Sequence, residues 1–189
     1  VACTYDVSGN YVFYINGLFA GSGTNLQTFV FGNIQIGSQS SGTESFKGKI
    51  SSFQMYSTAF TSQQIKDNYF SNISNSSTLK FNLDEMTGTT ANDTSGNANN
   101  GTIVSGTWST DRPFAGRNVV ENDTASLSFN GTSDNVTATS TSNPFSTAGT
   151  ISVKFKLRSL TANQSIFGNS LNNTGMQITY RSSGLVLEG

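Results

Sequence analysis

The sequence predicts an all-β protein, an antiparallel β-sandwich with one short helix near residues 62–69. Many short runs alternate apolar and polar residues, which is the spacing of half-buried strands. Asn, Ser, Thr and Gly make up about half of the chain and separate these runs as turns. Only one stretch has helical spacing, and ten or more short strands with one helix are typical of a sandwich.

The first segment opens with a hairpin. In "YVFYINGLFAGS", two apolar-rich runs meet at Asn16-Gly17, a pair that tolerates the positive φ angles of a tight turn. "FVFGNIQIGS" predicts a further strand with Ile34 and Ile36 on one face. "KGKISSFQMYS" predicts another, and the spacing of its apolar residues indicates a β-bulge.

The predicted helix lies in "TAFTSQQIKDNYF". Thr61 stands at the N-cap position, and Gln64 follows it at the third helical position, as in a capping box. Ile65 and Tyr69 are four residues apart and therefore share one face. The polar stretch "SNISNSST" that follows predicts a linker.

The second segment consists of strands and long turns. "LKFNLDE" alternates, "GTTANDTSGNANNGT" is rich in turn residues, and "ASLSFNGTSDNVTATS" predicts two strands around a Gly turn. In "GTISVKFKLRSL" the apolar residues alternate with Ser152, Lys154, Lys156 and Arg158, which we expect to face solvent. "QSIFGNS", "MQITYRS" and "GLVLEG" predict the last strands.

Composition excludes several functions. Charged residues are 11% of the chain with a net charge of -1, so neither nucleic acid nor an anionic membrane is an expected main partner. A single cysteine, Cys3, cannot form an intrachain disulfide and is expected to be a buried, inert thiol. No apolar run is long enough to span a membrane, so we expect no membrane insertion. The chain starts at Val1, and we expect a mature or excised piece of a longer product.

Four motifs together resemble a known family. "FKGKISSFQMYSTAFTSQQIKDNYF" resembles the closing segment of laminin-G-like, concanavalin A-like jelly-roll domains, and "VACTYDVSGNYVFYINGLFAGS" resembles the strand pair that precedes it. "LKFNLDEMTGTTANDTSGNANNGTI" and "FAGRNVVENDTASLSFNGTSDNVT" resemble the opening strands of that family. The resemblance implies a jelly-roll sandwich, extracellular or at a cell or virion surface, that binds or assembles.

The order of the motifs is reversed relative to that family. Residues 1–71 resemble the C-terminal half of a sandwich, 72–78 a linker, and 79–189 the N-terminal half. A half-sandwich exposes an apolar face and unpaired strand edges, so each half needs another half. The halves are completed within the chain, by a neighbouring repeat or by a neighbouring subunit, and the last two arrangements predict a head-to-tail filament or array of copies.

Catalysis is not expected. The chain has no histidine, which removes the commonest general base and any Ser or Cys triad that uses one. A glycosidase needs two facing carboxylates, and only Glu121 and Asp123 have suitable i, i+2 spacing, in a loop-like segment. We therefore expect a protein that is not an enzyme.

One loop is a candidate calcium site. "NDTSGNANNG" supplies carboxylate and amide oxygens, which Ca²⁺ prefers, and the resemblance implies a calcium ion at the rim near such loops. The candidate ligands are Asp93, Asn97 and Asn100, with Asp134 of "FNGTSDN" added if the loops converge. The alternative is that these side chains only cap tight turns through their own backbone.

Glycans are the alternative partner. Candidate rings for stacking on a sugar are Trp108, Tyr5, Tyr11 and Tyr14, although the resemblance favours a packing role for Trp108. Residues in the hairpin strand are apolar on both faces, which suits a sheet that is covered on both sides or a protein interface. Two functions follow: a structural or adhesion module, or a lectin-like module with or without calcium.

The chain has nine Asn-x-Ser/Thr sequons, a small excess over the number expected from its composition. They are either accidents of that composition or glycosylation sites of a secreted protein. The asparagines are Asn72, Asn75, Asn92, Asn100, Asn122, Asn130, Asn135, Asn163 and Asn172.

Overall fold

The computed structural model describes residues 1–24, 33–39, 44–71, 76–111, 125–139, 148–159, 163–170 and 177–188. These residues form two antiparallel sheets and one helix, α1 (Ser62–Ser71), which confirms the all-β sandwich. The strands are β1 (Ala2–Tyr5), β2 (Asn10–Ile15), β3 (Leu18–Thr24), β4 (Asn33–Ile36), β5 (Lys47–Tyr56), β6 (Leu79–Phe81), β7 (Thr90–Ala91), β8 (Gly101–Val104), β9 (Thr107–Ser109), β10 (Ser126–Asn130), β11 (Asn135–Thr139), β12 (Gly149–Leu157), β13 (Gln164–Ser170), β14 (Gln177–Arg181) and β15 (Gly184–Glu188).

Each sheet contains strands from both halves of the sequence. Sheet I has the order β3-β2-β1-β12-β5-β10-β9, with β6 paired to β5, and sheet II has the order β15-β14-β13-β4-β11-β8-β7. Strand β5 lies between β12 and β10, and β4 lies between β13 and β11. The described strands before residue 57 and after residue 78 therefore pair with each other within a single chain.

The main core fills the space between the sheets. Its largest fully buried side chains include Phe53 of β5 and Phe167 of β13, whose rings stack with centroids 5.3 Å apart. Cys3 is buried in this core, as the sequence predicts, and burial raises the pKa of its thiol. Inward-facing residues from both sheets interdigitate, which is how an aligned sandwich stabilises itself.

A second, smaller apolar cluster lies on the other face of sheet I, beneath α1. It joins Tyr14, Tyr56, Phe60 and Ile65 with Ala2. The two-sided apolar pattern of β2 has this cause: Phe13 enters the main core and Tyr14 enters the cluster under the helix. At β2 the sheet is thus covered on both sides, which is one of the two alternatives that its sequence pattern left open.

Local predictions for the first segment are confirmed in detail. Asn16 and Gly17 have φ angles of 53° and 77° in the β2–β3 turn. The backbone N–H of Thr61 donates to Gln64 Oε1 at 2.9 Å, and that of Gln64 donates to Thr61 Oγ1 at 3.3 Å, which is the reciprocal pattern of a capping box. The β5–β12 register shifts between Lys154 and Phe155, which is the bulge that the spacing of β5 predicts.

Predictions for the second segment need correction in two places. The turn-rich stretch after Leu83 contains short strands, β7 and β8, and β9 around Trp108 was not predicted at all. Lys154 and Ser152 are only half-exposed rather than open to solvent. The alternation of apolar and polar residues in β12 shows on which face of the sheet each side chain lies. It does not show that α1 covers part of the outer face.

Most of the predicted linker, residues 72–75, lies outside the described residues, and so do Glu121 and Asp123. Among the described residues, no helix is long and apolar enough to cross a membrane.

Candidate functional site

The predicted calcium loop is held together by its own hydrogen bonds. Both carboxylate oxygens of Asp93 accept from backbone N–H groups: Oδ1 from Lys80 at 3.0 Å and from Ser95 at 2.9 Å, and Oδ2 from Asn99 at 2.9 Å. Burial of Asp93 raises its pKa, but these hydrogen bonds and one from the Ser95 side chain outweigh that effect and lower the pKa. The geometry is that of a turn cap, the alternative that the sequence left open.

The other two amides of the loop contribute to the same network. Asn100 Oδ1 accepts from the Asp93 backbone N–H at 2.9 Å, and Asn97 Nδ2 donates to the Thr78 carbonyl at 3.0 Å. These bonds tie the loop to the start of β6. Among the described residues, no three His, Cys, Asp or Glu side chains gather as a metal-binding group.

Asp134 does not belong with that loop, and the condition that the two loops converge is not met. In the β8–β11 pair, Gly101 lies opposite Ala138 and Val104 lies opposite Asn135. Asn100 therefore stands at one end of the pair and Asp134 at the other, about 15 Å apart along the strands. This register separates Asp134 from Asn100 and therefore does not bring the four candidate ligands Asp93, Asn97, Asn100 and Asp134 together.

Asp134 has a different environment of its own. Its residue is 4% exposed, its Oδ2 accepts from the Asn130 backbone N–H at 2.8 Å, and its Oδ1 is buried with no hydrogen-bond partner among the described atoms. It closes the β10–β11 turn, in which Asn130 Oδ1 accepts from Thr132 and Ser133.

The candidate sugar-stacking rings mostly serve packing. Tyr5 and Tyr14 are buried, and Tyr14 hydroxyl hydrogen-bonds Ser62 Oγ at 3.2 Å. Trp108 is half-buried against the main core and donates its indole N–H to the Gly88 carbonyl at 3.1 Å, in agreement with the packing role. Tyr11 is also half-buried against the core.

A narrow pocket separates α1 from sheet I. Its polar lining includes Gln54, Asn68, Ser152 and Lys154. Burial, and then the charge of nearby Lys80, lower the pKa of Lys154 to about 8. This pocket is enclosed by the helix and is small, so we assign it no ligand.

An open groove lies farther along the same face of sheet I, and the sequence did not point to it. Its lining consists of Gly48, Lys49, Asp111, Lys156, Leu157 and Arg158. Lys49 Nζ is 2.8 Å from Asp111 Oδ2, and Lys156 Nζ is 3.7 Å from Asp111 Oδ1. The hydrogen bond from Lys49 and the charges of both lysines lower the pKa of Asp111.

The sequence of either strand taken separately does not predict the groove. The sequence shows the outward alternation of Lys156 and Arg158, and Lys47 and Lys49 stand at i, i+2 in β5. Only the register, which sets Lys156 opposite Lys49, brings the two strands' cations together. Sequence alone gives no such pairing.

Five of the nine sequon asparagines lie in the described residues. Asn92, Asn100, Asn130 and Asn163 are exposed, and Asn135 is half-buried with its Oδ1 accepting from Thr137 Oγ1 at 2.9 Å. Asn72, Asn75, Asn122 and Asn172 lie outside the described residues.

The comparisons with known proteins bear on the first segment. Residues 1–66 match a laminin G family model, whose description is "Concanavalin A-like lectin/glucanases superfamily". The matched residues, which we call the laminin-G-like segment because of this similarity, cover β1 to β5 and the first turn of α1. They contain one of the four motifs that carry the resemblance and most of a second.

No curated protein and no solved structure matches the chain. The family match ends before residue 79, so the assignment of 79–189 as the opening half of the same fold, and with it the reversed order, stays a prediction.

Proposed function

We propose that this protein is a non-catalytic extracellular module that binds glycans. The observation that carries the proposal is the interleaving of the laminin-G-like segment with the remaining strands, which completes a two-sheet sandwich in one chain. A closed sandwich has no need of a neighbouring half, so ligand binding replaces half-domain assembly as the favoured role.

The absence of catalysis belongs to the proposal and has chemical support. The chain contains no histidine, so any hydrolysis would have to depend on a carboxylate pair. Asp93 and Asp111 are both engaged, the first by backbone N–H groups and the second by lysines. Both have lowered pKa values, whereas a general acid needs a raised one.

A glycan array tests the binding proposal. The full chain, labelled at a site away from sheet I, is applied to neutral and acidic glycans with and without a calcium chelator. Binding of at least one glycan class supports the proposal, and silence across the array contradicts it. A response that the chelator removes would support a calcium ion at the Asp93 loop, the part of the predicted site that the register leaves intact.

A second candidate, an adhesion or assembly role, is favoured by a separate surface. Strand β3 is the end of sheet I, and its only partner among the described strands is β2. Its sequence, LFAGSGT, carries no charge, and Leu18 and Phe19 are 64% and 67% exposed. Natural edge strands usually carry charges or prolines that block pairing, so an uncharged apolar edge suits contact with another chain.

Light scattering at low and high concentration tests this second candidate. A species that grows beyond 20.1 kDa with concentration supports assembly. Phe19→Ser should then reduce it, whereas Val104→Ser, at an exposed apolar position of sheet II, should leave it unchanged. A discrete monomer at all concentrations contradicts assembly and leaves the glycan proposal standing.

A further inference from the structure

Cationic side chains are concentrated on one part of the outer face of sheet I. Four of the chain's ten Lys and Arg residues lie at the adjoining ends of β5 and β12, and we call them the basic block: Lys47, Lys49, Lys156, and Arg158, which directly follows β12. Lys156 lies opposite Lys49 in the register. Arg158 donates its backbone N–H to the Lys47 carbonyl at 3.0 Å, so these two residues are neighbours as well.

The row that starts in the basic block continues across two more strands as hydroxyl groups. Lys49 lies opposite Ser128 of β10, and Ser128 lies opposite Thr107 of β9. Directly opposed residues of an antiparallel pair point to the same face, so Lys156, Lys49, Ser128 and Thr107 form one row. Thr107 is exposed and Ser128 is half-exposed.

The charge of this surface is only partly balanced. Among the described residues that line the groove, Asp111 is the one carboxylate, and it contacts two of the four cations, Lys49 and Lys156. Among the described residues, neither Lys47 nor Arg158 has an ion-pair partner, and both are exposed. A chain with a net charge of -1 thus presents a local positive field on one sheet face.

We propose that the basic block and the hydroxyl row bind an acidic polysaccharide, a sugar chain that carries carboxylate or sulfate groups. This inference rests on the proposed glycan-binding function and names its ligand class and its site. The cations pair with the anionic groups through charge-assisted hydrogen bonds, and the Ser and Thr hydroxyls bond to sugar hydroxyls.

The dimensions and the strand order favour a sugar chain. Four adjacent strands span three steps of about 4.8 Å, or roughly 14 Å, which suits a short oligosaccharide better than one sugar. A bound peptide commonly pairs its backbone with an open sheet edge. Along residues 47–50, strand β5 pairs with β10 on one side and with β12 on the other, so its backbone groups there are used and only its side chains are presented.

Asp111 already places a carboxylate against two of these cations, within 2.8 Å of Lys49 Nζ. The groove therefore accepts a carboxylate, and Asp111 competes with an anionic ligand for it. Removing the Asp111 charge should strengthen binding, whereas removing cations should weaken it. These opposite signs separate a ligand site from a merely structural ion pair.

The experiment measures binding of the full chain to four probes: heparin, polygalacturonate, dextran and poly-L-glutamate. The first carries sulfates, the second only carboxylates, the third is neutral and the fourth is an acidic peptide. The variants are the double substitution Lys156→Gln/Arg158→Gln, the single substitution Asp111→Asn, and the control Lys66→Gln on the exposed side of α1. Denaturation curves verify that each variant is folded.

We expect one or both acidic polysaccharides to bind, with affinity falling as salt rises. The double variant should weaken binding about tenfold or more, since it removes two charge-assisted contacts. Asp111→Asn should tighten binding by up to about fivefold, the worth of a surface ion pair. Lys66→Gln should have no effect.

Several results would overturn the inference. Acidic polysaccharides that bind the double variant as well as the parent would place the site elsewhere. Binding of dextran alone would refute an acidic ligand but leave the proposed glycan function intact. Poly-L-glutamate that binds as tightly as the acidic polysaccharides would refute the assignment to sugars. If no saccharide binds, here or on the array, the proposed function itself fails.

Discussion

The two ends of the β5–β12 pair share one sheet face but have opposite surfaces. At one end Tyr56 lies opposite Thr150, and the face is covered by Ile65 of α1 and by Phe60, which precedes the helix. At the other end Lys49 lies opposite Lys156, and the face is open. We refer to these as the covered end and the basic end of sheet I.

The difference shows what the helix contributes. At the covered end, apolar side chains are removed from water, and the polar Thr150 is satisfied by the Phe60 backbone N–H at 2.9 Å and the Thr58 carbonyl at 2.7 Å. At the basic end nothing apolar needs cover, so the same strands can offer charge to a ligand. One face thus combines a stabilising region with the proposed binding region.

The largest expected effect comes from emptying the covered end. Ile65→Ala removes a 2% exposed side chain from between α1 and sheet I. We expect a loss of about 2–5 kcal/mol in the free energy of unfolding, because a buried large-to-small change loses both burial and packing. Urea denaturation measures it, and Lys66→Ala, the next residue but exposed, should change stability by less than about 0.5 kcal/mol. Equal losses would contradict the helix packing.

The next effect tests the close packing under the basic end. A Cβ on Gly48 would lie 2.3 Å from the Lys156 carbonyl oxygen and 2.8 Å from Phe46. Gly48→Ala should therefore cost about 1–3 kcal/mol, or more, through overpacking. Gly21→Ala is the matched control, since a Cβ there meets nothing within 4 Å. Thermal denaturation of both variants decides it, and a Gly48→Ala protein as stable as Gly21→Ala would refute this contact.

A smaller effect concerns the start of the helix that defines the covered end. Thr61→Ala removes the side chain that caps α1 and accepts from the Gln64 backbone N–H. The expected loss is about 1 kcal/mol of unfolding free energy, the usual worth of an N-cap. Thr61→Ser retains the hydroxyl and should restore most of it. No difference between the Ala and Ser variants would argue against the cap.

The smallest effect is a pH dependence at the border between the two ends. Folding lowers the pKa of Lys154 to about 8 from the ordinary 10.5. Between pH 8 and pH 10.5, the Lys154 amine therefore carries a proton in the unfolded chain and has lost it in the folded chain. Stability should therefore rise with pH between about 8 and 10.5, and the cost of charging Lys154 should be fully present below pH 8. The measurement is the pH dependence of the unfolding free energy of each variant and of the parent protein. Lys154→Met should remove the rise in stability between pH 8 and pH 10.5, and Lys156→Met, at a more exposed position, should retain it. A parallel pH profile for both variants would contradict the burial of Lys154.

Predictions from local chemistry succeeded, and predictions that needed strand register did not. The capping box at Thr61 and the turn at Asn16-Gly17 depend on residues that are neighbours in sequence, so the pattern alone determines them. Short strands such as β7, two residues long, are defined by their pairing with β8, and their Thr-rich sequence looks like a turn.

The same limit applies to the sites. The calcium set joined Asp93 to Asp134 by the chemistry of their side chains, but the β8–β11 register puts them at opposite ends of a strand pair. The basic block was missed for the complementary reason, since Lys49 and Lys156 are distant in sequence and meet only across β5 and β12. Sequence indicates which side chains are exposed, whereas register decides which of them are neighbours.

The position of β5 has a consequence for the order in which the protein folds during synthesis. Its three partners among the described strands, β6, β10 and β12, lie after residue 78 in the chain, whereas β1, β2 and β3 form hairpins with each other before residue 25. A nascent chain can therefore form its first hairpins early. Strand β5, which is apolar, lacks its full set of partners until residue 157 has left the ribosome. Such long-range pairing is slow and exposes the chain to aggregation. Lys47 and Lys49 stand at the start of β5, a position where charges oppose the aggregation of an apolar strand.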